Sequence, residues 1–90
     1  MKKLSYSGQF KRDVKIAEKR GKDMEKLKTV MRMLIDDRPV PACYLDYSLK
    51  GDWKGWRDLH LEPDWLLIYK VDADSVRFER TGRHVDLFGG

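Results

Sequence analysis

The sequence predicts a small α+β domain in which an N-terminal helical hairpin covers one face of an antiparallel sheet. Two observations predict this fold. Apolar residues fall at helical spacing in the first third of the chain, and extended segments separated by turns fill residues 53–80. Helices followed by a run of strands are typical of α+β domains. A chain of 90 residues has room for one core, so we expect a single domain over residues 1–90.

A short strand is predicted at residues 4–6 and a helix at residues 8–20. The Ser7 hydroxyl can accept a hydrogen bond from a free amide of the first helical turn, which makes Ser7 a suitable N-cap. The apolar residues of this helix repeat at four- and three-residue steps and form one stripe. They are Phe10, Val14 and Ala17.

A second helix is predicted from the N-cap Asp23 to a point near Asp37, again with apolar residues at three- and four-residue steps. Gly21 ends the first helix, because glycine adopts the left-handed conformation that follows a last turn. The link of Gly21 and Lys22 is short, and it therefore indicates an antiparallel helical hairpin.

The second half of the chain is predicted to form strands. Pro39 and Pro41 end the helical half, and a loop follows to Gly51. Pro63 presets the first central position of a tight turn between two strands. The three strands are predicted at residues 53–61, 65–71 and 76–80.

Composition excludes several classes of protein. Apolar residues make up 41% and charged residues 38%, which excludes a disordered chain. The longest apolar run has five residues, whereas a membrane-spanning helix needs about 20. The first ten residues lack the apolar segment of a secretory signal, so we expect a cytoplasmic protein with no membrane contact. The single cysteine, Cys43, is expected to be a small buried side chain, and the chain offers no zinc-ligand spacing.

Charge is distributed unevenly along the chain. Residues 1–30 carry ten basic and four acidic side chains, whereas residues 31–90 carry nine and eleven. A basic first third indicates an anionic partner, such as nucleic acid or an acidic protein segment. The alternative is that these side chains only solvate two amphipathic helices.

The segment before the Pro63 turn contains the first candidate catalytic residues. Alternation along a strand places Lys54, Trp56, Asp58 and His60 on one face. The turn can return Asp64 to within reach of His60, and a histidine between carboxylates is a positioned proton carrier. The alternative is that His60 is an ordinary surface residue and that Asp64 only serves the turn.

The tail contains the second candidate group. Gly82 lets the chain bend, so that His84 can lie over the same sheet face. Two imidazoles and a guanidinium, here assigned to Arg80, can split RNA without a metal or another cofactor. Phe88 either stacks on a base or fixes the tail to the core.

Two long motifs resemble a known family. They are L-x-G-x-W-K-G-W-R-D-x-H-x-E-P-D-W-L-L-I-Y at residues 49–69 and R-F-E-R-T-G-x-H-x-x-L-F-G at residues 77–89. Together with Y-S-G-Q-F-K-R-D-V-K near the start, they closely resemble the YafQ branch of the RelE-like bacterial toxins.

The resemblance implies an endoribonuclease that cuts mRNA in the ribosomal A site without a metal. It also implies a DinJ- or RelB-like antitoxin partner that represses the operator DNA together with the toxin. His60 and Asp64 match acid–base residues of the family, His84 matches the group that protonates the leaving oxygen, and Asp58 and Phe88 match residues implicated in activity. Further RNA contacts are expected from Lys50, Lys54, Arg57, Arg83 and Tyr47.

Tyr47 departs from the family pattern, in which a histidine stands at this position. A phenol with a pKa of about 10 is a poor base at neutral pH. Either His60 takes the role of base, or the enzyme is slower, or Tyr47 alters codon preference. The Tyr47 change leaves open a rival function, an inactive toxin that only binds antitoxin and RNA. A third alternative, a DNA-binding protein that uses its basic helices, ranks last because neither helix has a helix-turn-helix signature.

Overall fold

The computed structural model describes residues 2–89 and contains three helices and five strands in that range. Two turns of 3-10 helix, Ala42–Tyr44 and Gly51–Trp53, interrupt the central loop. The elements in chain order are β1 (Lys3–Tyr6), α1 (Gly8–Lys19), α2 (Met24–Ile35), β2 (Tyr47–Ser48), β3 (Arg57–Glu62), β4 (Trp65–Val71), β5 (Ser75–Gly82) and α3 (His84–Phe88).

The five strands form one sheet in the order β1-β5-β4-β3-β2. The pairs from β2 to β5 are antiparallel, and β1 pairs with β5 in parallel. The predicted α+β fold with an antiparallel sheet and an N-terminal helical hairpin is thus confirmed. The edge strand β1 departs from this antiparallel pattern, because it runs parallel to β5.

The main core lies between the hairpin and one face of the sheet. Ser7 caps α1 by accepting the Phe10 N–H at 2.9 Å, and Asp23 caps α2 by accepting the Glu25 N–H at 3.0 Å. Both caps were predicted. The buried apolar residues of the main core are Phe10, Ala17, Leu27, Val30, Leu34, Leu59, Leu61, Trp65, Leu67, Tyr69, Val76 and Phe78.

No helix within residues 2–89 is both long and apolar enough to cross a membrane.

The opposite face of the sheet carries a second, smaller apolar cluster. Leu66 and Ile68 of β4 are buried there beneath Leu87 of α3. Leu49, Trp53 and Trp56 pack around them. The loop before β3 and the helix α3 therefore cover part of this face. The candidate site lies on the same face, beside these two segments.

Two local predictions are wrong, and one helix was not predicted. The strand predicted from residue 53 begins at Arg57, because Gly51–Trp53 forms a 3-10 turn and Gly55 adopts a left-handed conformation. The tail forms a short helix at His84–Phe88, which was not predicted from the sequence. Cys43 is exposed rather than buried, since its turn lies at the surface after Pro41.

Candidate active site

Strand β3 places Asp58 and His60 on the sheet face that the helical hairpin does not cover. Leu59 and Leu61, which alternate with them, belong to the main core. Asp58 is 7% exposed, and His60 is partly exposed. Lys54 precedes the strand and is exposed, so strand alternation does not fix its direction.

Helix α3 brings His84 to the same place. Gly82 ends β5 where a Cβ atom would lie 3.2 Å from Oδ2 of Asp86, so a larger residue at the turn into α3 would require the Asp86 side chain to shift. The rings of His84 and His60 are 5.7 Å apart between centroids. The sequence-based expectation that the two imidazoles meet is therefore confirmed in geometry.

Aromatic side chains border the two histidines. Phe88 lies 6.2 Å from the His84 ring and 6.4 Å from the Trp53 ring, between centroids. It is 41% exposed, so one side of its ring faces solvent. The ring thus contacts neighbours that would hold the tail in place, and its open face leaves stacking on a base as a prediction.

Asp64 pairs with His84 and not with His60. Its Oδ1 lies 3.1 Å from both the backbone nitrogen and Nδ1 of His84. These hydrogen bonds hold the pKa of the Asp64 carboxyl below its ordinary value. Because an ionised carboxylate only accepts, Nδ1 carries the shared proton, and Nε2 is the nitrogen left for substrate.

The pairing of Asp64 corrects an expectation. The Pro63 turn was expected to return Asp64 toward His60, and no hydrogen bond joins the two side chains among residues 2–89. His84, at the start of α3, lies closer to the turn and occupies the carboxylate instead. His60 therefore has Asp58, and not Asp64, as its carboxylate neighbour on the strand.

Asp58 lies beneath the two histidines. Burial raises the pKa of its carboxyl, and the nearby imidazoles of His60 and His84 oppose this rise. Strand β2 places Tyr47 directly opposite Asp58. Side chains paired in this way lie on the same face, so the exposed phenol of Tyr47 borders the site.

Nδ1 of His60 is shielded from solvent and has no hydrogen-bond partner among the described residues. The exposed part of the ring is therefore the side that carries Nε2. A buried nitrogen without a hydrogen-bond partner costs free energy. Nε2 is therefore the ring nitrogen of His60 that remains accessible, as it is in His84.

Arg80 does not join this group. Its Nε donates to Oδ2 of Asp13 on α1 at 2.7 Å, and the Asp13 side chain is only 5% exposed. The guanidinium is committed to this buried ion pair. This placement does not support the predicted role of Arg80 as phosphate stabiliser. The reason is the buried acid Asp13, which the prediction did not include.

The remaining predicted RNA contacts divide into two groups. Arg57 faces away from His60, and its guanidinium donates to Asp46 and Ser48. Arg83 precedes α3 and contacts Asp86. Lys50 and Lys54 are exposed on the loop that borders the site. Of these four cations, only the two lysines form no ion pair among the described residues, whereas Arg57 pairs with Asp46 and Arg83 with Asp86.

Sequence reasoning missed the roles of Lys70 and Asp13. Lys70 lies over the Trp56 ring at 5.5 Å from its centroid, on the same sheet face as Ile68. Asp13 interrupts the apolar stripe of α1, which was an available signal of a buried acid.

Among the described residues, no group of three His, Cys, Asp or Glu side chains is close enough to hold a metal ion.

The site can move two protons on opposite sides of a scissile bond. One imidazole can accept a proton while the other, oriented by Asp64, donates one. The exposed Phe88 ring and the loop lysines offer surfaces for a base and a phosphate. The fold and the site together define a small α+β protein with a candidate acid–base site suited to RNA.

Comparison with known proteins identifies the family. Residues 2–89 match the family described as "Bacterial toxin of type II toxin-antitoxin system, YafQ". The chain therefore belongs to the YafQ toxin family, as the sequence motifs indicated.

Individual relatives are similar over nearly their full length. The mRNA interferase toxin YafQ of Escherichia coli K12 is 58% identical over 87 residues, which is 96% of this chain and 95% of the relative. A putative toxin YafQ of Haemophilus influenzae is 37% identical over 89 residues, covering 91% and 87% of the two chains. In the E. coli DinJ-YafQ toxin-antitoxin complex, one chain is 56% identical with a TM-score of 0.92, covering 98% of both chains.

Proposed function

We propose that this protein is the toxin of a type II toxin–antitoxin module and cleaves mRNA in the ribosomal A site. Its partners are the ribosome, mRNA and a DinJ-like antitoxin, which represses the operator together with the toxin in the cytoplasm. The 58% identical E. coli relative named as an mRNA interferase supports the substrate. The relative solved with DinJ supports the antitoxin class.

The chemistry follows from the two imidazoles. Nε2 of His60 removes the proton from a ribose 2′-hydroxyl, and the 2′ oxygen attacks the adjacent phosphorus. The bond from phosphorus to the 5′ oxygen breaks, and protonated His84 gives its proton to that oxygen. The products are a 2′,3′-cyclic phosphate and a 5′-hydroxyl, and the reaction needs no metal or other cofactor.

The carboxylates support this proton transfer. Asp64 fixes the His84 ring through Nδ1 and stabilises its protonated form, as a carboxylate does beside a catalytic imidazole. Asp58 supplies negative charge beneath both rings. Phe88 and Tyr47 offer aromatic faces to the bases, while Lys50 and Lys54 neutralise phosphates.

One observation carries the proposal: two histidines 24 residues apart in sequence have ring centroids 5.7 Å apart beside an open aromatic face. The test is mRNA cleavage in a translating extract by the wild type and by His84→Ala. We expect the variant to lose about 10²–10⁴-fold in rate. Val85→Ala is the matched control, because Val85 is the exposed neighbour of His84 on α3.

Three outcomes contradict the proposal. Equal cleavage by the wild type and His84→Ala would remove His84 from the mechanism. Products that carry a 5′-phosphate would contradict attack by the 2′ oxygen, so the RNA ends are identified in the same assay. A wild type that cleaves nothing and permits normal growth on induction would favour the inactive binding module.

A further inference from the structure

Helix α3 is short, yet it carries His84 and Phe88. It has five residues, and only Leu87 is buried. Isolated helices of this length are unstable in water, so contacts from the rest of the molecule must hold it. These contacts decide how accurately His84 faces His60.

Asp86 provides one such contact. Its carboxylate accepts a hydrogen bond from the Arg83 backbone N–H at 3.1 Å, and this bond caps α3. It also accepts a hydrogen bond from Nη1 of Arg20 at 2.8 Å. Hydrogen bonds from Arg20 and Arg83 hold the pKa of Asp86 well below its ordinary value. Arg20 is the C-cap residue of α1, so this ion pair joins α3 to the helical hairpin.

The Arg80–Asp13 pair provides the second contact. Asp13 also accepts the Thr81 backbone N–H at 3.2 Å, beyond the point where β1 stops pairing with β5. Arg80 in turn donates to the backbone carbonyl of Asp86. Asp13 and Arg20 are seven residues apart, about two helical turns, so one face of α1 serves both pairs.

We propose that Asp13, Arg20, Arg80 and Asp86 form a positioning bracket that fixes α3 against α1 and thereby holds His84 over His60. Its catalytic consequence depends on the proposed nuclease function. Arg80 then acts through α3 and not on the phosphate. A cavity of about 190 Å³, lined in part by these four residues, lies between α1 and α3. The long side chains of the bracket, rather than apolar packing, therefore connect the two helices there.

The test is Arg20→Met compared with Lys19→Met. Both remove one positive charge from the end of α1, so a change in the overall attraction of RNA is equal in the two variants. Lys19 is exposed and precedes Arg20 directly. We measure kcat and KM for mRNA cleavage, the hydrogen-exchange rate of the His84 amide, and thermal unfolding.

For Arg20→Met we expect kcat to fall about tenfold, because misplaced groups lose rate rather than binding, with KM unchanged. The His84 amide, which donates to Asp64, should exchange severalfold faster. Lys19→Met should keep the wild-type kcat and His84 exchange rate, and Arg20→Lys should recover most of kcat. Asp13→Asn is not the main test, because changing a buried acid can prevent folding.

The proposal is overturned if Arg20→Met and Lys19→Met agree in both kcat and His84 exchange. It is also overturned if Arg20→Met raises KM alone. Amide exchange does not require activity. A wild type that fails to cleave RNA, but whose His84 amide still exchanges faster in Arg20→Met, would refute the proposed function and retain the bracket.

Discussion

Asp64 controls the orientation of His84, because one carboxylate oxygen accepts from both its backbone and its ring. Asp64→Asn preserves the shape of the side chain but removes the charge that favours a protonated imidazole. We expect cleavage to slow by about 10²–10⁴-fold with little change in substrate affinity. Single-turnover cleavage measures this effect. Asp52→Asn, which alters an exposed acid on the loop before β3, should not change the cleavage rate.

Asp58 is predicted to trade stability for activity. Its pKa is raised by burial, so the folded state holds this proton more tightly than the unfolded chain does. The corresponding stability is present at low pH and is lost as pH rises through the raised pKa. At pH 7, the free energy of unfolding of Asp58→Asn should therefore be about 1 kcal/mol higher than that of the wild type, while its rate of mRNA cleavage falls.

Denaturant unfolding at pH 7 and pH 4 tests the Asp58 prediction. The advantage of Asp58→Asn should shrink at pH 4, because the wild-type carboxyl takes up its proton below the raised pKa. Asp74→Asn, at an exposed turn, serves as the control. A stability difference that does not change with pH would show that burial of the Asp58 charge is not its source.

Tyr47 offers a gain-of-function experiment. It lies opposite Asp58 and is 57% exposed, so a substituted imidazole would reach the same substrate face. We expect Tyr47→His to raise kcat about tenfold or more, since imidazole is a better base than phenol at neutral pH. Tyr47→Phe controls for the aromatic ring. No gain from histidine would indicate that His60 alone supplies the base.

Helix α3 depends on the packing of one side chain. Leu87 covers Leu66 and Ile68. Leu87→Ala should lower the free energy of unfolding by about 2 kcal/mol, below the loss at a central core site, because α3 can detach locally. Activity should fall further than stability, and the combined fluorescence of the three tryptophans should change as Phe88 moves away from Trp53. Retained activity with unchanged fluorescence would contradict this prediction.

The elements differ in how far the sequence predicts them. Helices α1 and α2 follow from periodic apolar stripes and side-chain caps, which are local properties. Strand β2 has two residues and α3 has five, so neither is long enough to show a period. Their structure depends on partners distant in sequence, such as Asp58 for β2 and Arg20 for α3, and no local pattern contains that information.

The same distinction applies to the site. The motifs identified His60 and His84, and the geometry brings their rings together. The partners of these residues were assigned less well, because sequence distance does not give spatial distance: Asp64 pairs with His84, and Arg80 pairs with Asp13. Residue types indicate which chemistry is available, and tertiary packing decides which side chains combine to perform it.

For the whole molecule, the uneven charge makes a prediction about binding. Residues 1–30 carry ten of the 19 basic side chains, and Lys11 and Lys15 are exposed on α1. If this surface contacts ribosomal RNA, the double variant Lys11→Gln and Lys15→Gln should raise KM with kcat unchanged. Each lost phosphate contact should also reduce the slope of log affinity against log salt by about 0.7–0.9.

The control for this charge experiment is Arg38→Gln with Arg77→Gln, which removes two exposed cations outside the first third of the chain. Both double variants have the same net charge, so an effect of overall charge would be equal in the two. We measure ribosome binding and mRNA cleavage over a range of salt concentrations. An identical salt slope in both variants would show that the α1 surface is not the RNA contact, whereas a reduced slope in the α1 variant alone would assign that contact to Lys11 and Lys15.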